Sequence, residues 1–179
     1  MSSPARTESR LRFFLRDFRV LEGNVGLGVG SSLIALLASR KGYVSLTDAQ
    51  WSGLPDTFPH MVLRVGQVLL ASAPAGDVPL VNAHMAETAT TELQIEGGIL
   101  IRGGLLMAPH QRLGDYLDSA GPFVALQHAV MLRSRQTGKP MEAALGDVAV
   151  SQSVIEAAWE STAPAAPDDG PPVETTATA

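Results

Sequence analysis

A glycine-rich segment, Gly26–Gly30, is the part of the chain that most resembles a ligand-binding motif. It reads G-L-G-V-G and is followed by Ser31 and Ser32, which can begin a helix, and a helix N-terminus attracts anions. The spacing matches neither the dinucleotide-binding fingerprint nor the P-loop, and no Lys-Ser or Lys-Thr pair follows it. We therefore interpret the segment as a flexible loop, with anion binding left as the alternative.

Histidines and carboxylates could bind a metal ion or transfer protons, but their spacing favours neither role. The histidines are His60, His84, His110 and His128. None belongs to an H-x-x-x-H or H-E-x-x-H pattern, in which neighbouring helix turns share a metal ion. Asp115 and Asp118 lie three residues apart on a predicted helix, but a catalytic pair needs a cleft and a shifted pKa. We interpret these carboxylates as solvent-facing helix charge.

A cluster of arginines near the start of the chain could contact a charged partner. Its members are Arg6, Arg10, Arg12, Arg16 and Arg19. Such a cluster could bind phosphates, with Phe13 and Phe14 stacking on bases. However, Phe13 is in phase with a predicted core face and the net charge of the chain is −5. We therefore predict that these arginines contact another protein or lipid headgroups, with nucleic acid less favoured. The alternative is a solvated arm that contacts no partner.

The composition narrows the class of protein. The chain has no cysteine, which excludes a disulfide framework, a thiolate metal site and a cysteine nucleophile, and fits a reducing cytoplasm. The longest apolar runs are strand-sized, far short of the ~18–20 residues of a membrane span. The first twenty residues carry arginines throughout and lack an apolar h-region, so we expect no signal peptide. We predict a non-enzymatic cytoplasmic protein with no catalytic residue, metal or cofactor. A place at the cytoplasmic face of a membrane complex is the alternative location.

The chain contains an internal repeat with a shift of 80 residues, aligning residues 19–51 with residues 99–131 without a gap. Seven positions are identical: Gly23/Gly103, Leu33/Leu113, Leu37/Leu117, Ser39/Ser119, Val44/Val124, Leu46/Leu126 and Ala49/Ala129. The same shift also matches Met61/Met141, Gly66/Gly146 and Val68/Val148. The identical positions are mainly apolar residues and glycines, and they do not include a group of polar residues that could form a site. This pattern is typical of a duplicated scaffold and differs from that of a duplicated active site.

Alternating apolar residues predict the elements of one copy. We expect strands over residues 11–16, 19–27, 43–47 and 61–70, with a turn at Asp17-Phe18 and a bend or bulge at Gly23. A short helix with Leu33, Leu36 and Leu37 on one face should lie between the second and third strands. In the second copy the turn is Gly97-Gly98, and the buried helix positions should be Leu113, Tyr116 and Leu117. Ser39 and Ser119 should end the two helices.

The predicted fold class is mainly β, of α+β type, with two tandem small barrel-like modules that each carry one short inserted helix. Bent strands favour closure of such small sheets. The predicted segments are a basic arm (1–10), a first module (11–72), a linker (73–91), a second module (92–160) and an acidic, proline-rich tail (161–179). The tail lacks apolar periodicity, so we predict that it is disordered.

Part of the first copy resembles the Sm-like small β-barrels. The resemblance rests on two groups of residues: Asp17, Arg19 and Gly23, then Val44, Leu46, Asp48 and Ala49. In that family a D-G-R-x-x-x-G strand pair precedes an N-L-x-L-x-x-A-type strand. The inserted helix departs from the family, and its RNA-binding residues are not recognisable here. The tandem arrangement also resembles a poorly characterised bacterial domain family with no assigned activity.

The leading functional hypothesis is a non-catalytic scaffold or accessory subunit that binds another protein, within a larger, membrane-associated assembly. It rests on the duplicated fold, the charged termini and the lack of a motif for chemistry. One alternative, implied by the Sm-like resemblance, is a nucleic-acid-binding module. The other is a small-ligand regulatory domain that uses the groove between the two modules.

Overall fold

The structure is a computed structural model that describes residues 7–28, 30–39, 42–74, 76, 78–81, 87–133 and 140–161. The strands are β1 (Thr7–Leu15), β2 (Val20–Leu27), β3 (Tyr43–Trp51), β4 (Thr57–Arg64), β5 (Val68–Ser72), β6 (Glu87–Ile95), β7 (Ile99–Met107), β8 (Phe123–Arg133), β9 (Pro140–Ser151) and β10 (Ile155–Glu160). The helices are α1 (Leu33–Ser39) and α2 (Leu113–Ser119). Single turns of 3₁₀-helix, Val65–Gln67 and Gln152–Val154, precede β5 and β10. The protein is therefore mainly β.

All strands of the described residues form one antiparallel sheet in the order β10-β6-β7-β8-β9-β5-β1-β2-β3-β4. The order within the first half, β5-β1-β2-β3-β4, is repeated in the second half as β10-β6-β7-β8-β9. The two halves meet where β5 pairs with β9. The sheet is open, with β4 and β10 at its edges, so the predicted closure into two barrels is not confirmed.

The strand registers confirm the repeat and correct its second part. β1 pairs with β2 as Arg12↔Glu22, and β6 pairs with β7 as Glu92↔Arg102, both displaced by 80 residues. Beyond β3 the displacement changes: Arg64 opposes Tyr43, whereas Ser151 opposes Phe123. The equivalent residues of β4 and β9 are therefore 87 apart. The extension of the 80-residue shift to Met61/Met141, Gly66/Gly146 and Val68/Val148 was wrong, because seven extra residues lie between β8 and the second half of β9.

The repeat extends to unusual backbone angles. Residues with positive φ occur at Phe18 and Gly98, at Gly30 and His110, and at Asp48 and His128. Members of each pair are 80 residues apart, although their side chains differ. Both copies therefore use the same left-handed turn and bulge positions, and the second copy tolerates imidazoles where glycine or aspartate would be less strained.

The two glycines shared by the repeat lie at equivalent irregularities, as predicted. The register between β2 and β3 shifts at Gly23, and that between β7 and β8 shifts at Gly103. At each site two residues of the neighbouring strand oppose one glycine, which is the definition of a β-bulge. The turns at Asp17-Phe18 and Gly97-Gly98 are also present, with hydrogen bonds from Phe18 N to Leu15 O and from Gly98 N to Ile95 O.

Several predicted boundaries need correction. The predicted strand over residues 61–70 is two strands, β4 and β5, separated by the 3₁₀ turn Val65–Gln67. Residues 7–10 of the basic arm belong to β1, and residues 87–91 of the linker belong to β6. Edge strand β10 was not predicted as a strand. Residues 1–6 and 162–179, which include most of the predicted tail, lie outside the described residues.

The core is divided into two apolar clusters that each draw residues from both copies. The first contains Phe13, Leu21, Leu37 and Leu46, but also Phe123, Ala125 and Ala149 of the second copy. The second contains Ile101, Leu105 and Val150, but also Leu69 and Leu70 of the first copy. Each half of the chain thus contributes side chains to the core of the other half across the β5–β9 junction. Neither core cluster is made of residues from one half alone.

The two helices differ in burial. Leu33, Leu36 and Leu37 of α1 are buried as predicted. The segment 78–81 lies across this helix, where Leu33 N and Ile34 N donate to the carbonyl oxygens of Pro79 and Leu80. Helix α2 has no fully buried residue, so the predicted burial of Leu113, Tyr116 and Leu117 is only partial. Within the described ranges, α2 has no covering segment comparable to residues 78–81.

Local bonds explain where the helices begin and end. Ser32 begins α1 by accepting a hydrogen bond from Ala35 N at Oγ (3.2 Å), as an N-cap serine does. Ser39 Oγ donates to Leu36 O, and Ser119 Oγ donates to Tyr116 O, one turn back. The interpretation of these two serines as helix-ending residues is confirmed.

Candidate functional site

The arginines of the predicted contact cluster are largely engaged with carboxylates of the same chain. Arg10 and Arg12 both contact Glu22, at 3.3 and 2.7 Å. Arg16 pairs with Glu96 of the second copy at 2.8 Å and donates to Ser153. A further member, Arg6, lies outside the described residues. These pairs weaken the case for a free phosphate-binding surface.

The last arginine of the cluster is held by its own turn. Arg19 pairs with Asp17 at 2.6 Å and stacks over the ring of Trp51, with 4.2 Å from guanidinium carbon to ring centroid. The hydrogen bond from Arg19 lowers the pKa of Asp17 below its ordinary value, against a smaller opposing effect of burial. Arg19 therefore stabilises the β1–β2 turn and the adjacent β3.

An ion pair that crosses the first hairpin recurs in the second copy with its signs exchanged. Arg12 opposes Glu22 in the first copy, and Glu92 opposes Arg102 in the second, with a 2.9 Å contact. Burial raises the pKa of each glutamate and is the largest single effect, but the hydrogen bonds and the guanidinium charges together outweigh it and hold both pKa values below the ordinary range. For Glu92 these hydrogen bonds come from Ser161 and Trp159 as well as Arg102. The exchange preserves the attraction, so the pair has a structural role in both hairpins.

Replacing Glu92 with Gln should lower the free energy of unfolding by about 1–2 kcal/mol at neutral pH, because Glu92 accepts charge-assisted hydrogen bonds. Its donors are Arg102, Trp159 and Ser161.

This contribution of Glu92 should depend on pH. Because the pKa of Glu92 is lower in the folded than in the unfolded protein, its ionised form stabilises the fold above the unfolded pKa. This stabilisation is lost as the pH falls through the folded pKa. The difference between wild type and variant, measured by chemical denaturation, should therefore shrink below about pH 4. A Glu160→Gln control should change stability little, and an unchanged difference at low pH would contradict the assignment.

The other residues singled out in the sequence do not converge. Gly26 lies in β2 and Gly30 in a tight turn where Ser31 N donates to Gly28 O, while Val29 lies outside the described residues. His60 is exposed on β4, and His110 and His128 occupy positive-φ positions. The remaining histidine, His84, lies outside the described residues. No group of three or more His, Asp or Glu side chains that could hold a metal ion occurs in the described part of the chain.

Asp115 and Asp118 are both exposed on α2. Asp115 lies in the first turn of that helix, where a negative charge complements the helix dipole. The interpretation of this pair as solvent-facing helix charge agrees with their positions.

The exposed apolar side chains mark a different candidate site, the two edges of the sheet. Within the described ranges, the large hydrophobic residues that are exposed are Tyr43, Leu54, Phe58, Val62 and Trp159. The first four belong to the β3–β4 hairpin, which forms one edge, and Trp159 belongs to β10, which forms the other. Val62 is 53% exposed in the middle of an edge strand. An edge strand offers unpaired backbone groups, so apolar side chains beside it favour strand addition by a partner.

A shallow cleft lies at the junction between the two copies. It has a volume of about 460 Å³ and is lined by Val65, Gly66, Pro122, Phe123 and residues 151–153. Two of its lining residues, Ser151 and Ser153, have their Oγ atoms 3.1 Å apart. The cleft corresponds to the groove between modules that the sequence suggested for a small ligand.

The edge residues were not predicted from the sequence, although one signal was present. Pro59 lies within β4, and a proline inside a strand is tolerated chiefly at a sheet edge because it cannot donate a ladder hydrogen bond. The residues near it, Phe58 and Val62, could have been assigned to an edge on that ground. The exposure of Trp159 depends on the placement of β10, which has no such marker.

No protein-family model, curated protein or solved structure matches the chain significantly. Neither helix in the described residues is long enough to cross a membrane.

Proposed function

We propose that this chain is a non-catalytic scaffold or accessory subunit, built from two tandem copies of one small β module, that binds another protein along its sheet edges. The observation that carries the proposal is the location of the exposed large hydrophobic side chains, all of which lie on the β3–β4 hairpin or β10 in the described residues. A larger assembly, including one at a membrane, is the setting in which such edges would be covered.

The physical reason is the cost of leaving a long edge strand uncovered. Edge strands commonly carry charges or bulges that discourage pairing with other chains. β4 does carry Pro59 and the exposed Arg64, but it also presents Val62 and Phe58 to solvent, and exposed Tyr43 lies on the adjoining strand β3. Strand addition by a partner would satisfy the edge backbone groups and remove these side chains from water, and each effect favours association.

The two sheet edges are better candidates for the contact surface than the arginine cluster. Arg10, Arg12 and Arg16 have carboxylate partners within the chain. An external anion that displaced these carboxylates would gain little binding free energy, since exposed ion pairs contribute only ~0–1 kcal/mol each. The same pairing disfavours the nucleic-acid alternative.

Placing a lysine on either edge should abolish binding of the natural partner without unfolding the protein. Val62→Lys and Ala157→Lys introduce charge at exposed positions of β4 and β10, and an edge lysine opposes strand addition. Ala38→Lys, at an exposed position of helix α1 and outside both edge strands, is the matched control. Tagged variants should be purified from the source cells and their co-purifying proteins quantified. Retention of every partner by both edge variants, alone and combined, would contradict the proposal.

The cleft supports a second candidate, binding of a small regulatory ligand between the copies. Its volume of about 460 Å³ lies within the usual range of ligand pockets. Gly66 lines it and has nothing within 4 Å of the position of a Cβ, so Gly66→Phe should fill the cleft without strain. A metabolite that raises the melting temperature of the wild type but not of this variant would favour this candidate.

A further inference from the structure

The junction between the two copies defines a contact that the edges of the sheet can repeat. At the junction β5 pairs with β9 through Leu70↔Val150, Ala71↔Ala149 and Ser72↔Val148. The registers make β4 the equivalent of β9, and β10 the equivalent of β5. The β9–β5 contact inside the chain thus joins two strand surfaces. An equivalent of each surface lies unpaired at an edge of the sheet: β4 is the equivalent of β9, and β10 is the equivalent of β5.

Equivalent side chains are buried at the junction and exposed at the edge. Phe123, Ala125 and Ala149 are at most 5% exposed and belong to the first core cluster. Their equivalents in the first copy are Tyr43, Ser45 and Val62, of which Tyr43 is 61% exposed. The β3–β4 surface therefore has the positions of a buried interface but no strand beside it in the described residues.

We propose that β4 of one chain pairs antiparallel with β10 of a second copy of this chain, in a head-to-tail contact that repeats the internal junction. This inference rests on the proposed function, because both use the sheet edges, and it identifies the partner. If the register of the junction is transferred to this contact, Ala157 opposes Leu63, Ala158 opposes Val62 and Trp159 opposes Met61 of the neighbouring chain. Such a contact is heterologous, so it extends into a ring or a filament.

The charges at the two edges are complementary in this register. When this register is continued by one residue at each end, beyond the three pairs of the junction, it places Glu156 opposite Arg64 and Glu160 opposite His60. All four side chains are exposed. At the internal junction the positions of Glu156 and Arg64 are occupied by Leu69, which is buried, and Ser151. The substitutions therefore introduce opposite charges on facing strands, a device that selects register and partner.

The partial burial of α2 fits the same arrangement. At the junction α1 contacts β8 of the second copy. By the repeat, α2 would contact β3 of the neighbouring chain, bringing its half-buried Leu113, Tyr116 and Leu117 towards Tyr43. One such contact would thus cover the β3–β4 surface of one chain and the apolar face of α2 of the other chain.

Cysteine cross-linking tests the register, because the natural chain contains no cysteine. Facing residues on antiparallel strands lie ~4.5–5.5 Å apart at Cα, within the range of a disulfide. Mixing Arg64→Cys with Glu156→Cys, or His60→Cys with Glu160→Cys, should give a covalent dimer of twice 18.8 kDa under mild oxidation. The crossed mixtures, 60 with 156 and 64 with 160, place the thiols about 13 Å apart and should not cross-link.

Each single variant alone is the control for a symmetric contact, because head-to-tail pairing never brings two copies of one position together. Cross-linking of Arg64→Cys with itself, or equal yields from matched and crossed mixtures, would overturn the proposal. So would a wild-type chain that light scattering shows to be monomeric at every concentration. In that case the edge-lysine experiment still decides the proposed function, because a different protein could occupy the same edges.

Charge exchange provides a second measurement. Arg64→Glu alone and Glu156→Arg alone place like charges opposite each other and should weaken self-association at least about tenfold. The double variant restores an opposite-charge pair and should recover most of the wild-type association. A double variant as weak as either single variant would show that these residues do not face each other, and the proposed register would be wrong.

Discussion

Truncating Leu37 to alanine is expected to lower the free energy of unfolding by about 2–5 kcal/mol, the range for a leucine in a packed core. Leu37 is only 1% exposed and lies on the buried face of α1. The same truncation at Leu117, its equivalent in α2, should cost clearly less, because Leu117 is only half-buried. The repeat makes the pair a matched comparison of one side chain in two environments.

Denaturant unfolding of the two variants at a protein concentration where the wild type is monomeric would measure the difference. Because the core clusters are shared between the copies, the transition of each variant should remain single and cooperative. Equal losses of stability would show that α2 is packed as firmly as α1. Two separate transitions would show that the copies fold independently.

Replacing Gly103 with alanine is expected to destabilise the protein by about 1–3 kcal/mol or more, through overpacking. A Cβ there would lie 2.6 Å from Leu126 Cγ and 2.8 Å from the carbonyl oxygen of Gln127. Leucine can change rotamer, but the carbonyl belongs to the neighbouring strand and can move only with the bulge. The ladder between β7 and β8 must therefore deform.

Gly23→Ala is the matched control for this substitution. The nearest atom to a Cβ at Gly23 is Leu46 Cβ at 3.1 Å, with Ala49 Cα and Thr47 O at 3.4 Å. Such contacts require a shift of a few tenths of an ångström, so the loss of stability should be smaller than at Gly103. Thermal unfolding of both variants would test the order, and a less stable Gly23→Ala would contradict the geometry of the two bulges.

Local sequence features predicted much of the fold because they act over a few residues. The turn at Asp17-Phe18, the Ser32 cap of α1 and the alternation of Leu11, Phe13 and Leu15 each depend on neighbouring positions only. The irregularities at Gly23 and Gly103 were predicted because glycine weakens a strand, so a glycine in its middle indicates a bend or a bulge.

Other features could not be predicted because their causes are not local. The 3₁₀ turn Val65–Gln67 interrupts the predicted strand over residues 61–70, and it forms where Arg16 N donates to Gln67 O and Val65 N donates to Gly42 O. The change of shift from 80 to 87 residues was hidden by chance matches such as Met61/Met141. Only the pairing of β9 with β8 shows that Val148 is the equivalent of Met61.

The candidate site shows the same division. The sequence alone determined that the chain is duplicated, that it is mainly β and where its apolar faces lie, because periodicity and repeated residues are properties of the chain. Tertiary structure decided which of these faces is covered: Phe123 and Tyr43 are equivalent aromatic residues, yet one is buried and the other is exposed. The difference arises because β9 pairs with β5 on the side away from β8, whereas β4, its equivalent, has no described strand on the side away from β3. Burial depends on which strands become neighbours, and strand order is a property of the whole sheet.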